Sequence, residues 1–314
     1  MPDRPANIGA SVRARLLNLA RERGTDFQLI LTRYVLERLL YRLSVSAYRE
    51  KFILKGAMLN ALWLEDPFRA TRDLDLLGSI EADADEARAT FRAILATPVA
   101  DDGVAFDAEH LTAEAIRENA SYGGIRLTTT AQLGGARVPV RIDIGFGDAV
   151  TPGPVLADYP ALLDLPRPRL RIYPRETVVA EKCEAMVSLG LTNSRLKDFY
   201  DVAVLATTFA FEGPQLGEAL AATFRRRGTP LPREMPPALT DAFVRRPETL
   251  AQWRAFTLRE AITEALNDLD HVAALLRVFL VPPLEAAANG VAFDQEWPSG
   301  GPWRIQTDGG DVTG

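Results

Sequence analysis

Apolar residues recur near the helical period over residues 9–22 and 26–46. In the second run Leu29, Val35, Leu36, Leu39 and Leu40 share one side, Asp26 stands where an N-cap belongs, and Gly24 separates the two helices. Residues 52–64 read as a short extended start, a glycine turn at Lys55-Gly56, and a helix carrying Met58, Leu59, Leu62 and Trp63 that Pro67 ends. Residues 72–77 read as a strand and the alanine-rich stretch 82–96 as a surface helix. Three β-like segments follow, at about 104–110, 124–132 and 137–146. Gly123-Gly124 and Gly134-Gly135 bound the middle one, and the second pair reads as a hairpin turn.

A proline-rich stretch, 150–174, then changes the pattern. Beyond it the periodicity is helical over 177–189, 194–208, 214–227, 237–244, 248–265 and 267–280. Residues 286–314 are rich in Gly, Ala and Pro, and Trp297 and Trp303 predict that part of this tail packs down. The expected organisation is a mixed α/β unit over 1–155, a helical unit over 156–285 and a tail over 286–314, without internal repeats. Residues 9–46 also admit a helix-turn-helix DNA reader, but acidic residues interrupt the basic ones and favour an ordinary helical hairpin packed on a sheet.

Composition narrows the setting. The 314 residues suffice for two packed units. A net charge of −6 gives no global nucleic-acid signal, so an RNA partner has to meet a local basic patch. One cysteine and two histidines exclude an internal disulfide and a Cys- or His-centred metal site. No membrane span or signal peptide is expected, and a cytoplasmic protein is the simplest reading.

The chemistry concentrates in two places. Asp73 and Asp75 alternate on the 72–77 strand and so point to one face. Paired acids in a strand made apolar by Leu74, Leu76 and Leu77 call for a cation, and hard oxygen donors suit Mg²⁺. Asp143 alternates with Ile142 and Ile144, facing the same way as Arg141, and is a third candidate ligand. The second cluster is Glu181-Lys182 with Asn193-Ser194-Arg195-Leu196-Lys197-Asp198 and Asp201. Ser194 is placed to cap its helix, Asp198 and Asp201 are three apart and share a side, and Lys182 is a point charge suited to phosphate oxygens. Surface helices crossed by salt bridges would show the same spacing.

With both clusters in view, the chain resembles the AbiEii/AbiGii toxin family of nucleotidyltransferases, which includes the MenT-type toxins. The resemblance rests on Lys55-Gly56-Ala57-Met58-Leu59, Arg69-x-Thr71-x-Asp73-x-Asp75, Arg141-Ile142-Asp143, and Glu181-Lys182 through Asn193-Ser194-Arg195-x-Lys197-Asp198-x-x-Asp201. It implies an α+β fold: a polymerase-β-like nucleotidyltransferase domain with a mixed sheet, then a helical C-terminal domain that completes the active-site cleft. It implies Mg²⁺-dependent transfer of a nucleotide from an NTP, growth inhibition, and an antitoxin acting as repressor. In some members the acceptor is the 3′ end of tRNA.

Carried over, Asp73 and Asp75 hold the metal, Lys182 holds the triphosphate and Asp198 is needed for activity. Asp143 is a further metal ligand, and Lys55, Gly56, Arg69 and Thr71 belong to the nucleotide site. One departure stands out: Ala57 and Met58 follow the glycine turn where such enzymes usually place Ser or Thr. An RNA acceptor needs cationic surface, and Arg167 and Arg169 (with Arg171 and Arg175) and Arg225-Arg226-Arg227 are the candidates. The competing readings are transfer to a protein or small-molecule hydroxyl, a catalytically silent binding module, and a DNA-binding regulator.

Overall fold

The computed structural model describes residues 7–64, 71–119, 122–260, 262 and 266–305, the side chains of 117–119 and 122 excepted. The chain divides into two compact units. The first comprises residues 1–147 and 154–173, the second 148–153 and 174–314.

In the first unit α1 (Ile8–Glu22) and α2 (Phe27–Val45) form the expected hairpin. Asp26 caps the second helix, its Oδ1 accepting from the Leu29 N–H at 3.1 Å. β1 (Phe52–Lys55) leads into a 3-10 turn, Gly56–Leu59, and a single helical turn, α3 (Asn60–Trp63). Pro67, expected to stop this helix, lies outside the described residues. β2 (Asp73–Gly78) and α4 (Ala84–Leu95) follow, then β3 (Val104–Phe106), β4 (Thr112–Asn119), β5 (Tyr122–Leu133) and β6 (Ala136–Phe146).

Three sequence expectations change here. β3 stops early because Asp107 folds a turn, its Oδ1 accepting from the His110 N–H at 3.2 Å. β4 was not anticipated: its Thr-Ala-Glu-Ala-Ile-Arg-Glu-Asn sequence lacks a β-branched pattern, and the pairing with β5 makes it a strand. Gly123-Gly124 lies inside β5 rather than before it. Gly134-Gly135 is the hairpin turn, with φ of +52° and +81° as a tight two-residue connection requires.

β7 (Val155–Asp158) and β8 (Arg169–Ile172) complete the sheet, in the order β3-β5-β6-β2-β1-β8-β7, with β4 beside β3 on β5. β2 runs parallel to β6 and β1 parallel to β8; the remaining neighbours are antiparallel, so the sheet is mixed. The unit boundary expected at 155 therefore moves. Residues 154–173 stay with the first unit because β8 pairs with β1 at Leu54 and Ile172.

Along β1, β2, β5 and β6 alternate residues are buried: Leu54, Leu76, Ile144 and Ile125 form one row across the sheet. Helices α1, α2 and α4 pack on the sheet, and each such side chain removed from water contributes about 1.5–3 kcal/mol. The polar row beside it is Lys55, Asp75, Asp143, Arg126 and Glu114, in direct register from β1 to β4. The period of two thus separates core from chemistry strand by strand.

The second unit is built of α5 (Arg175–Leu189), α6 (Leu196–Thr208), α7 (Gly213–Arg227), α8 (Asp241–Val244), α9 (Pro247–Arg259) and α10 (Leu269–Asn289). Gly190 ends α5 at φ +50°, as its position predicts. Ser194 does not cap α6. Asn193 Oδ1 accepts from the Arg195 N–H at 2.7 Å instead, so the chain turns one residue earlier.

α10 continues to residue 289 through Pro282-Pro283, so the segment after 285 does not begin as a tail. Residues 295–305 then pack down. β9 (Phe211–Glu212), β10 (Gln295–Trp297) and β11 (Arg304–Ile305) form a small sheet. The Trp297 Nε1–H donates to the Ala206 carbonyl at 2.7 Å and the Trp303 Nε1–H to Phe279 at 2.9 Å. Contrary to the sequence reading, α10 is long and apolar enough to cross a membrane by length and composition. Its Val272, Ala273, Leu276, Phe279 and Leu280 are buried in this unit.

Candidate active site

Asp73 and Asp75 share one face of β2, as the alternation predicts. The turn before α3 is shaped around them. Gly56 has φ +74°, which disfavours any residue with a side chain. A Cβ placed there would also stand 2.7 Å from both Cβ and Cγ of Asp75, so glycine leaves the room the carboxylate occupies. Lys55 pairs with Asp75 across β1 and β2, and its ammonium lies 5.4 Å from the centre of the Tyr173 ring. The Thr71 hydroxyl donates to the Asp73 carbonyl at 3.0 Å, anchoring the start of β2. Arg69 lies outside the described residues. Met58, in the place usual for a phosphate-binding hydroxyl, is 1% exposed and belongs to the core.

The carboxylates differ in surroundings. Asp73 is 39% exposed in its side chain, with Arg141 Nη1 at 3.5 Å. Asp143 is 11% exposed, and a guanidinium holds both its oxygens: Arg126 Nε donates to Oδ1 at 2.8 Å and Nη2 to Oδ2 at 2.7 Å. That hydrogen-bonded pairing, against the cost of burial, pushes the Arg126 pKa further up. Sequence reading did not single out Arg126. Its signal is the alternation of Ile125 and Leu127 around it, which acquires meaning only through the β5–β6 register.

In the second unit Lys182 Nζ donates to Asp198 Oδ1 at 2.7 Å and to Asp201 Oδ2 at 2.9 Å. Arg195 Nε lies 2.8 Å from Asp198 Oδ2 without hydrogen-bond alignment, and that oxygen has no hydrogen-bond partner in the structure. Burial opposes the Lys182 charge, yet the two aspartates hold its pKa above the ordinary lysine value. Burial likewise opposes the Asp198 charge, and Lys182 and Arg195 overcome it and lower the pKa. The three residues grouped in sequence therefore form one closed ion cluster.

The arginine candidates divide. Arg167, Arg169, Arg225 and Arg226 are exposed, Arg169 standing 3.9 Å from Asp158. Arg227 is turned inward, against Glu184 at 2.8 Å, Glu181 at 3.4 Å and Asp148 at 3.5 Å, and so leaves the proposed cationic surface. Arg171 donates to the Glu50 carbonyl at 3.1 Å, and Arg175 lies over the Phe209 ring at 4.3 Å.

Among the described residues no cage of three or more metal-donor side chains is assembled. The set that fits a hard cation is Asp73 with Asp75, because Mg²⁺ is commonly held by one or two carboxylates with substrate phosphates and water in the remaining positions.

The family model described as nucleotidyl transferase AbiEii toxin, type IV TA system, matches residues 38–278. The chain belongs to this family. It is accordingly an AbiEii-family nucleotidyltransferase toxin, with a nucleotide as substrate and an antitoxin as partner. Two crystal structures from Helicobacter pylori are similar: a candidate nucleotidyltransferase and the protein JHP933. Each is 13% identical with a TM-score of 0.46, matching 83% of this chain and 93% and 90% of theirs. A likeness that remote carries no functional argument. No curated protein matches the chain.

Proposed function

We propose that this AbiEii-family toxin transfers a nucleotide from a Mg²⁺-bound NTP to an RNA 3′-hydroxyl, the tRNA acceptor end being the target. The observation that carries the reading is the Asp73–Asp75 face beside the Gly56 turn, in a chain of this family. Mg²⁺, when bound, supplies charge neutralisation at the phosphates. Asp73 and Asp75 would hold it. Gly56 makes room for the Asp75 carboxylate against the turn, and its neighbour Lys55 adds a positive charge on the same sheet face. On the family pattern Lys182 is assigned to the triphosphate and Asp198 is required for activity. The Lys182–Asp198–Asp201 cluster supports this by fixing the ammonium in one position, with two of its three donors committed.

In the transfer the hydroxyl oxygen bonds to the α-phosphorus, the bond to the bridging oxygen breaks, pyrophosphate leaves and the hydroxyl proton passes to solvent. Catalysis of this kind is positioning and charge stabilisation. The fold reading that accompanies it is a polymerase-β-like nucleotidyltransferase domain followed by a helical domain. Arg167, Arg169, Arg225 and Arg226 are the proposed RNA contacts, the antitoxin acts as a repressor, and the setting is cytoplasmic.

The test is incubation of the protein with Mg²⁺, each labelled NTP and total tRNA. Label should enter tRNA, and Asp73→Asn should lower incorporation on the order of 10³-fold, as removal of a preorganised charge interaction does. Label entering protein instead would move the acceptor to a protein hydroxyl. No incorporation with any NTP and any acceptor would leave a silent binding module.

A further inference from the structure

Asp143 is the carboxylate that the parallel β2–β6 register sets opposite Asp75, on the same face of the sheet. It occupies the place from which a third metal ligand would come. Its oxygens are committed to Arg126, at 2.8 Å and 2.7 Å, in the two-pronged geometry that makes Arg–carboxylate pairs strong. The pairing follows from the backbone. Arg126 and Asp143 are direct cross-strand partners in a ladder that runs from Gly124–Gly145 to Leu133–Ala136 and is closed by the Gly134-Gly135 turn. A one-residue slip would turn the whole buried row of β5 and β6 outward, so the register holds the pair together.

Two neighbouring carboxylates need a positive charge close by. Here a guanidinium, charged at every accessible pH and fixed in its fork geometry, supplies one to Asp143. Glu114, the next residue along the row, faces Arg126 from its other side. We propose that Arg126 is a positioning residue that keeps Asp143 out of divalent-ion coordination. The ion is then held through Asp73 and Asp75, and a second divalent position between Asp75 and Asp143 stays closed while Arg126 is in place. The proposal rests on the metal reading of Asp73 and Asp75 above, and it sets Asp143 apart from the two carboxylates that hold the ion.

The experiment is a Mn²⁺ titration of the full chain, followed by electron paramagnetic resonance of free Mn²⁺, with no nucleotide present. Asp143→Asn should change the Mn²⁺ dissociation constant by less than about fivefold, roughly 1 kcal/mol. Arg126→Gln should bind one more Mn²⁺ than the wild type, and Arg126→Gln with Asp143→Asn should lose that extra ion. Weakening by more than about fivefold in Asp143→Asn alone, or no additional ion in folded Arg126→Gln, overturns the proposal. If Arg126→Gln does not fold by circular dichroism, the Asp143→Asn titration decides alone. Asp73→Asn distinguishes the two levels. Loss of Mn²⁺ binding there keeps the metal reading whatever the arginine does, whereas unchanged binding removes that reading and the clamp with it.

Discussion

Asp73 and Asp75 on β2 and Asp198 and Asp201 on α6 are the same residue type in opposite surroundings. Asp73 is well exposed, with Arg141 at 3.5 Å. Asp198 is 1% exposed, with Lys182 and Arg195 closing on it at 2.7 and 2.8 Å. A carboxylate at a half-exposed strand start can exchange its surroundings for a cation at little desolvation cost. A buried one cannot lose its partner without leaving an uncompensated charge. The first pair is therefore suited to receiving something from outside, and the second to holding a lysine where it is.

The sharpest way to break this contrast is Lys182→Ala. It removes the ammonium that two buried aspartates share, leaving Arg195 beside Asp198, and should lower stability by about 3–5 kcal/mol, measured by urea unfolding. A stability within the error of wild type would show the cluster to be solvated. Gly56→Ala attacks the other centre. A Cβ there displaces the Asp75 carboxylate, so NTP incorporation should fall by about 10²-fold, while unfolding free energy drops by only about 1–3 kcal/mol for the strained backbone. Retained incorporation would mean that Asp75 does not act from where it sits.

pH sharpens the comparison further. The folded Asp198 pKa lies below its unfolded value, so its contribution is present above the ordinary 3.8 and is lost as pH falls through the depressed value. The folded Lys182 pKa lies above its unfolded value, so its contribution is present below 10.5 and is lost as pH rises through the raised value. Wild type minus Lys182→Met stability should accordingly be flat between those limits and shrink at both ends. A difference that already shrinks near neutrality would contradict the buried pair.

The smallest effect concerns α7, where the contrast recurs within one run. Arg227 points into the Glu181–Glu184–Asp148 cluster, and Arg225 and Arg226 are exposed. Substituting Arg225 and Arg226 with Ala should weaken tRNA binding and reduce the salt dependence by about one unit of log–log slope per phosphate contact. An unchanged slope would remove this surface from the proposed RNA track.

Much of the fold was readable because periodicity is local. The α1–α2 hairpin, the Asp26 cap, the Gly134-Gly135 turn and the Asp73–Asp75 alternation each depend on a few consecutive residues. Two misses are local and small, the Asp107 turn that shortens β3 and the Asn193 bond that replaces the Ser194 cap; the larger ones are non-local. β4 became a strand through β5, residues 154–173 joined the first unit through the pairing of β8 with β1, and the residues after 285 were ordered by α10 and by Trp297 against Ala206.

By itself, the order of residues determined which side chains share a face: the period of two placed Asp73 with Asp75 and Arg141 with Asp143. It also carried the family motifs. Only the tertiary structure decided which of those carboxylates is already engaged. Arg126 and Asp143 are seventeen residues apart in the chain, and Lys182 and Asp198 sixteen. Charge partnership depends on distances of about 3 Å between atoms, and strand register and helix packing set those distances where sequence spacing does not.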